Sequence, residues 1–580
     1  MDKKYTVSFK FGGKEFTTND RENEYYRLEI ENSGNSYKVT IVPKKTIELV
    51  EFYSEMPYEF KAGDLFFGNG YQSWTKTREY KADEIMRGCI KLANISEYTK
   101  GIARKTGDEW IVKYSEKPGE FHSHCYTYIR NGENVKLWGS LTEKTGFTIF
   151  KVKMNENRFY FTKDLLGKVL TAPLEVFDIV YFEGGYEEVF DSYFGLWDMP
   201  ETRHGTMSGY TSWYNYFQDI DEKIILRDLD GLDEYKDLVN IFQIDDGYET
   251  YIGDWLDPNP AKFPNGMKYI ADKIHDKGYK AGIWLAPFNC QKISRMAKEH
   301  PDWLIKDTNG KPMVGCIAWG GAYTFDIYNE EVRAYLREVF DTVLNDWGYD
   351  MVKLDFLYSQ CIKPRHGKSR GEIMCDAMAF LRECVGDKLF LGCGVPIGPA
   401  MGVVDACRIS CDVDLYYDGL FFNRIQVANE MLSARSAINN SIFRRHMNGR
   451  VWMNDPDVFF LRKNNQKFTD VLMMRINKLQ FTDEQKYLLG KINNLCGNVL
   501  FVSDNAGDYD KAAQTLVRKF FKKTDEKIIS AEYINSEVIK LVTEKDGKQE
   551  TFTFNLAEGR ILSDDSWKKY FEKLTKTQGR

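Results

Sequence analysis

Residues 350–358 read Asp-Met-Val-Lys-Leu-Asp-Phe-Leu-Tyr. The stretch has the pattern of a buried strand ending in charge. Side chains alternate between the two faces of a strand, so Met351, Lys353 and Asp355 share one side and Val352, Leu354 and Phe356 the other. The apolar set packs under helices. That leaves a lysine and a carboxylate pointing together into whatever the strand encloses, and leaving such groups buried and unpaired is costly. Two readings fit: a functional pair, or an internal Lys353–Asp355 ion pair that only holds the strand in place.

Outward from this stretch, the rhythm of strand, helix, strand, helix runs from about residue 205. Eight short β-like runs fall near 208–213, 239–245, 279–285, 350–355, 388–393, 406–410, 450–453 and 498–503. Between them Val332, Tyr335, Leu336, Val339, Phe340, Val343, Leu344 and Trp347 recur at helical spacing, with Gly348 as a stop. Eight such units predict a (β/α)₈ TIM barrel rather than an open sheet.

The flanks read differently. Runs such as Tyr37–Val42 alternate apolar and polar residues between Gly, Asn and Asp turns, which predicts an N-terminal β-sandwich. After an amphipathic helix near 508–522, the runs 538–542 and 550–554 flank Lys545-Asp546-Gly547-Lys548, a hairpin signal. The expected fold class is multidomain: sandwich 1–199, catalytic barrel 200–523 and small C-terminal β-domain 524–580. A chain of 580 residues is long enough for roughly two to four domains.

Composition narrows the function classes. With 79 basic and 86 acidic residues the net charge is −7, too small and too mixed to imply nucleic acid or an anionic membrane as partner. The N-terminal stretch has no signal-peptide pattern, and nowhere do about 18 apolar residues follow one another. Eleven cysteines without a Cys-x-x-Cys pair fit reduced thiols, with Cys407 and Cys411 the nearest pair. A cytoplasmic location is expected. Aromatic content is 15%, including 12 Trp and 35 Tyr, which suits a chain that handles sugars and equally suits large cores.

In a barrel of this kind the chemistry sits at the C-terminal ends of the strands. Strand two ends Phe242-Gln243-Ile244-Asp245-Asp246-Gly247, strand three Ile283-Trp284, and strand five Gly392-Cys393-Gly394. Strand six ends Arg408-Ile409-Ser410-Cys411-Asp412 and strand seven Trp452-Met453-Asn454-Asp455. The result is a ring of carboxylates with a Lys, an Arg and a Trp. Hydrolysing a glycoside needs two carboxyls flanking the anomeric carbon, while charged neighbours bind hydroxyls and a Trp walls the C–H face of the ring. Strand-end Asp residues also hold Mg²⁺, but none of the seven His lies at a strand end and Lys353 would repel a cation, so no metal and no cofactor is expected. Inside the sandwich, Gly68-Asn69-Gly70-Tyr71-Gln72-Ser73-Trp74 is a glycine-rich loop that either carries function or plugs the sandwich end.

Taken in order, Gly70-Tyr71-Gln72-Ser73-Trp74, Phe242-Gln243-Ile244-Asp245-Asp246, Gly282-Ile283-Trp284, Lys353-Leu354-Asp355-Phe356, Gly392-Cys393-Gly394, Arg408-Ile409-x-x-Asp412 and Asn454-Asp455-Pro456-Asp457 resemble the α-galactosidases of glycoside hydrolase family 36, in particular its shorter bacterial, melibiase-like members. Any one motif is weak; seven in order are specific. The resemblance implies a retaining hydrolase with Asp355 as nucleophile and Asp412 as acid/base. It places Asp245, Asp246, Lys353, Cys393 and Arg408 around the sugar and Trp284 and Trp74 against its ring. It implies as partner a small oligosaccharide or glycoconjugate ending in an α-galactosyl group. The stretch Ser410-Cys411-Asp412-Val413-Asp414 departs from the Ser-Asp-Asn-Thr-Asp of long members, which leaves the aglycone side open and makes Asp414 a rival to Asp412. Three alternatives stand beside this one: an α-N-acetylgalactosaminidase on the same scaffold, a metal-dependent barrel enzyme, and a catalytically silent sugar-binding protein.

Overall fold

The computed structural model describes residues 4–88, 107–418, 433–463, 480–564 and 567. Its N-terminal part is two facing antiparallel sheets. One has six strands in the order Lys14–Thr18, Lys4–Phe11, Ile47–Pro57, Arg158–Leu170, Phe147–Lys153, Glu120–His124. The other has seven: Tyr26–Ser33, Ser36–Pro43, Leu174–Gly184, Asn134–Ser140, Tyr126–Asn131, Leu65–Gly68, Arg78–Tyr80. Period-2 patterning builds the layer between them. On the Ser36–Pro43 strand Tyr37, Val39 and Ile41 are buried, and they join Val7, Leu49, Phe52, Phe161 and Phe177 in one core.

The central sheet is eight parallel strands in chain order, 1 Met207–Thr211, 2 Ile241–Ile244, 3 Lys280–Leu285, 4 Met351–Leu354, 5 Leu389–Gly392, 6 Ala406–Arg408, 7 Met453–Asp455 and 8 Val499–Val502. Strand 8 pairs with strand 1 from Met207↔Val499 to Tyr210↔Val502, and Asn498 N–H donates to the Asn454 carbonyl at 3.1 Å across the remaining seam. The sheet is thus a nearly closed (β/α)₈ barrel, as the sequence periodicity predicts. The strand expected at 450–453 begins instead at Met453, because Gly449 (φ +76°) turns the chain and Asn448 bridges to Trp452. The expected helix with the Val332 to Trp347 stripe is Glu330–Asp341, continued by a π turn over Thr342–Asp346 and stopped at Gly348 with φ +84°.

One element was not anticipated. Between barrel strands 3 and 4 a small antiparallel sheet is inserted, made of Asn289–Gln291, Val314–Cys316 and Ala322–Thr324. Its three-residue strands are too short to show alternation. Beyond the last barrel helix, Lys511–Phe521, four antiparallel strands, Lys527–Tyr533, Val538–Lys545, Lys548–Asn555 and Arg560–Ser563, form the C-terminal sheet. Asp546 and Gly547, both at positive φ, make the predicted tight hairpin turn. Among the described residues no helix is long and apolar enough to cross a membrane.

Candidate active site

Barrel strand 4 is wholly buried over Met351–Leu354, and the chain leaves it at Phe356, a non-glycine residue at φ +54°. That turn lets the Phe356 N–H donate to Asp355 Oδ1 at 2.7 Å, so the carboxylate is fixed just past the strand end. Trp284 Nε1, from the end of strand 3, donates to Asp355 Oδ2 at 3.2 Å. The Cys393 thiol, from the end of strand 5, lies near Asp355 and favours its ionised form. Burial raises the Asp355 pKa; the Lys353 charge opposes this and the Asp412 charge adds to it.

The internal Lys353–Asp355 ion pair allowed by the sequence does not form. Lys353 Nζ lies 2.9 Å from Asp245 Oδ2, and the same oxygen accepts from Gln243 Nε2 at 2.7 Å and Thr211 Oγ1 at 3.3 Å. Burial works against the Lys353 charge, but Asp245 together with the Cys393 and Asp355 groups outweighs it and the ammonium pKa is raised. Asp246 faces another way. It accepts from Gln218 Nε2 at 2.9 Å and from the indole N–H of Trp319 at 2.9 Å. Glu249 lies against it, and burial followed by the Asp246 charge pushes the Glu249 carboxyl well up.

Arg408, at the end of strand 6, is the hub of the opposite wall. Its three nitrogens reach Asp412 (2.7 Å), Asp455 (3.2 Å) and Asp457 (3.0 Å). Three carboxylates around one guanidinium leave an excess of negative charge in a buried place, and the Asp457 pKa rises to about 7, chiefly by burial with Arg408 opposing. Asp457 also accepts from the Val413 N–H at 2.7 Å and from the Tyr214 hydroxyl, so it fixes the segment that carries Asp412. Asp414 Oδ1 accepts its neighbour's N–H, from Leu415, at 2.7 Å. Asp412 is the more open of the Arg408 partners, with 30% of its side chain exposed.

The glycine-rich loop of the sandwich reaches this barrel end in the same chain. Trp74 packs against Phe356 with ring centroids 5.3 Å apart, and Gly394 is a glycine because a Cβ there would come within 2.9 Å of the Trp74 ring. The loop is tied to the barrel by Ser73 N–H to Val395 O (3.0 Å) and Ile397 N–H to Tyr71 O (3.1 Å). It is tied above all by Arg444, fully buried and, among the described residues, without a carboxylate partner. Its guanidinium donates to Asn69 Oδ1 and to the carbonyls of Gly70, Gln72, Ser73 and Ile409 at 2.6–3.3 Å, using all five N–H groups. Burial lowers its pKa to about 10.

Every residue expected from the sequence therefore lies at the strand ends of one barrel face or on the loop docked there. Three contributors were missed. Glu249 and Arg444 carried no signal beyond their residue type. Trp319 sits in the unanticipated insertion, at φ +55°, where it packs on Trp284 (5.9 Å) and Phe356 (5.0 Å).

Fold and site define a (β/α)₈ barrel with a carboxylate-rich face at the strand ends. The comparisons are more particular: residues 210–372 match the Melibiase family model. The chain is 27% identical over 254 residues to α-galactosidase Mel36A of Lactobacillus acidophilus, covering 42% of this chain and 33% of that protein. It is 31% identical over 139 residues to the A type blood α-D-galactosamine galactosaminidase of Flavonifractor plautii, covering 22% and 13%. The matches thus span a third or less of these relatives' own length. The solved α-galactosidase TtGalA of Thermus thermophilus, in complex with p-nitrophenyl α-D-galactopyranoside, superposes over 94% of this chain and 98% of its own with a TM-score of 0.67 and 23% identity. The resemblance to family 36 α-galactosidases read from the seven motifs is upheld in sequence and in fold.

Proposed function

We propose that the protein is a retaining α-galactosidase, releasing terminal α-linked galactose from small oligosaccharides or glycoconjugates by double displacement. The observation that carries this reading is the convergence of Asp355 and Asp412. They come from the ends of different parallel strands on one barrel face, Asp355 fixed just past strand 4 and Asp412 held by Arg408 of strand 6. Asp355 is the nucleophile, aimed by Trp284 and the Phe356 N–H; Asp412 is the acid/base on the more open side. Lys353 with Asp245, Asp246 with Glu249, and Arg408 supply donors and acceptors for hydroxyls, and Cys393 supports the nucleophile. Trp284, Trp74 and Trp319 give the apolar wall that the ring's C–H face needs. The galactose reading draws support from the α-galactosidase relatives, and the Asp245–Asp246 and Lys353 group suits an axial O4 and O6. The pocket works on a soluble sugar in the cytoplasm.

The test is a panel of aryl glycosides followed by NMR. Aryl α-galactoside is cleaved with the highest kcat/KM, and the first-formed sugar is the α-anomer. A higher kcat/KM on the α-N-acetylgalactosaminide gives the scaffold to that substrate, and a first-formed β-anomer overturns double displacement.

A further inference from the structure

The sandwich carries a second cluster that the sugar chemistry does not use. On strand Glu120–His124 the residues His122 and His124 are two apart, so both imidazoles leave the same face of the sheet. Asp108 rises opposite them. Its Oδ2 lies 3.0 Å from His122 Nε2 and 3.7 Å from His124 Nε2, and one donor atom from each residue falls within 4.8 Å of the others. All three are at least nine-tenths buried, with exposures of 3%, 6% and 3%. Among the described residues neither ring nitrogen of His124 has a hydrogen-bond partner, although a buried imidazole normally has at least one. A cavity of about 10 Å³, enough for about one water, adjoins Asp108 and His122.

We propose that Asp108, His122 and His124 bind a first-row divalent cation, zinc by preference, as a structural staple for the loop that carries Trp74. Two nitrogens and one carboxylate oxygen are zinc's usual donors, and bonds of about 2.0–2.2 Å set tetrahedral donors about 3.3 Å apart, close to the two Asp108–imidazole spacings of 3.0 and 3.7 Å. The adjoining cavity supplies a water as fourth ligand. Seen this way, the orphaned His124 nitrogen acquires a partner. The link to the loop is direct. Asp108 Oδ1 accepts the Tyr71 N–H at 2.7 Å, the His124 N–H donates to the Asn69 carbonyl at 2.9 Å, and the Tyr71 ring packs on His124 at 5.5 Å. The cluster is too buried to reach substrate, so the ion holds the loop and takes no part in the chemistry. Lys76 is the cation among the described residues that line the same cavity.

The experiment uses the full chain, stripped with chelator, re-exposed to zinc and passed through gel filtration before elemental analysis. About one zinc per chain is retained, and Asp108→Asn and His124→Ala each reduce it to about a tenth or less. Asp355→Ala retains the full amount, which separates this site from the barrel carboxylates. Lys76→Met binds zinc at least as well as the unaltered chain. Because the ligand variants could fail to fold, cobalt is also added to the stripped unaltered protein. Visible d–d bands of four-coordinate Co(II) appear, and zinc abolishes them while raising the Tm. Less than about a tenth of an equivalent of zinc in the unaltered chain, full retention in the ligand variants, loss in Asp355→Ala or in Lys76→Met, or a six-coordinate cobalt spectrum would each overturn the proposal.

Discussion

The ammonium of Lys353 binds Asp245 Oδ2 at 2.9 Å, reaching past the intervening strand 3, rather than Asp355 two positions along its own chain. The pair is buried on both sides, 7% and 3% exposed. A buried charge that loses its partner is destabilised by about 3–5 kcal/mol. Lys353→Met should therefore lower both Tm and turnover, with at least a ten-fold loss in kcat/KM, since a charge-assisted bond contributes about 1.5–3 kcal/mol. Lys353→Met combined with Asp245→Asn should recover much of the Tm and none of the turnover. Recovery of turnover along with stability would make Lys353 purely structural.

The two catalytic carboxyls separate by leaving group. Asp412→Ala should slow substrates with poor leaving groups severely, while an activated aryl galactoside still forms the covalent intermediate. Azide should speed its breakdown and yield β-galactosyl azide, because a small anion needs no general base. Asp355→Ala should give no azide product and trap no fluorosugar. Azide rescue of Asp414→Ala but not of Asp412→Ala would move the acid/base role to Asp414.

Arg444→Lys should weaken the whole approach of the Trp74 loop. An ammonium offers three donors where the five-acceptor nest needs a planar fork, so at least two buried carbonyls lose their partner at about 1–3 kcal/mol each. Chemical denaturation should show a loss of a few kcal/mol, roughly 2–6. KM should rise with it, and an unchanged KM would detach the loop from substrate binding.

Trp319→Phe keeps the ring and removes the N–H that Asp246 accepts, while Trp319→Ala removes both. The expected order of KM is unaltered protein, then Phe, then Ala. The full loss should be about ten-fold or more, given about 0.5–1.5 kcal/mol for the ring contact plus about 1.5–3 for a bond to a charged acceptor. Equal KM for all three would place Trp319 outside the sugar contacts.

Stability should depend on pH through Asp457. Its pKa is about 7 in the folded chain against about 3.9 unfolded, so the folded state holds the proton more tightly. That contribution is fully present below about pH 4 and is lost as pH rises through about 7. Asp457→Asn, which mimics the protonated acid, should show a flatter stability profile across that window. Parallel profiles for the two proteins would show that Asp457 stays ionised beside Arg408.

The sequence alone determined the repeat of eight strand-helix units, the sandwich rhythm, the Asp-Gly hairpin and the strand-end positions of Asp245, Asp355, Arg408 and Asp412. These are legible because side-chain alternation, helical spacing and turn chemistry are set by near neighbours. Only the tertiary structure decided which charge meets which. Lys353 and Asp245 are 108 positions apart, and Arg444 and Ser73 are 371 apart. Trp319 and Asp246 are 73 apart, joined through an insertion whose strands are too short to leave a pattern. Such contacts form when barrel closure brings strand ends together and the sandwich docks its loop across them. No local period in the chain encodes that geometry, because each partner is chosen by which buried donor or acceptor would otherwise go unsatisfied.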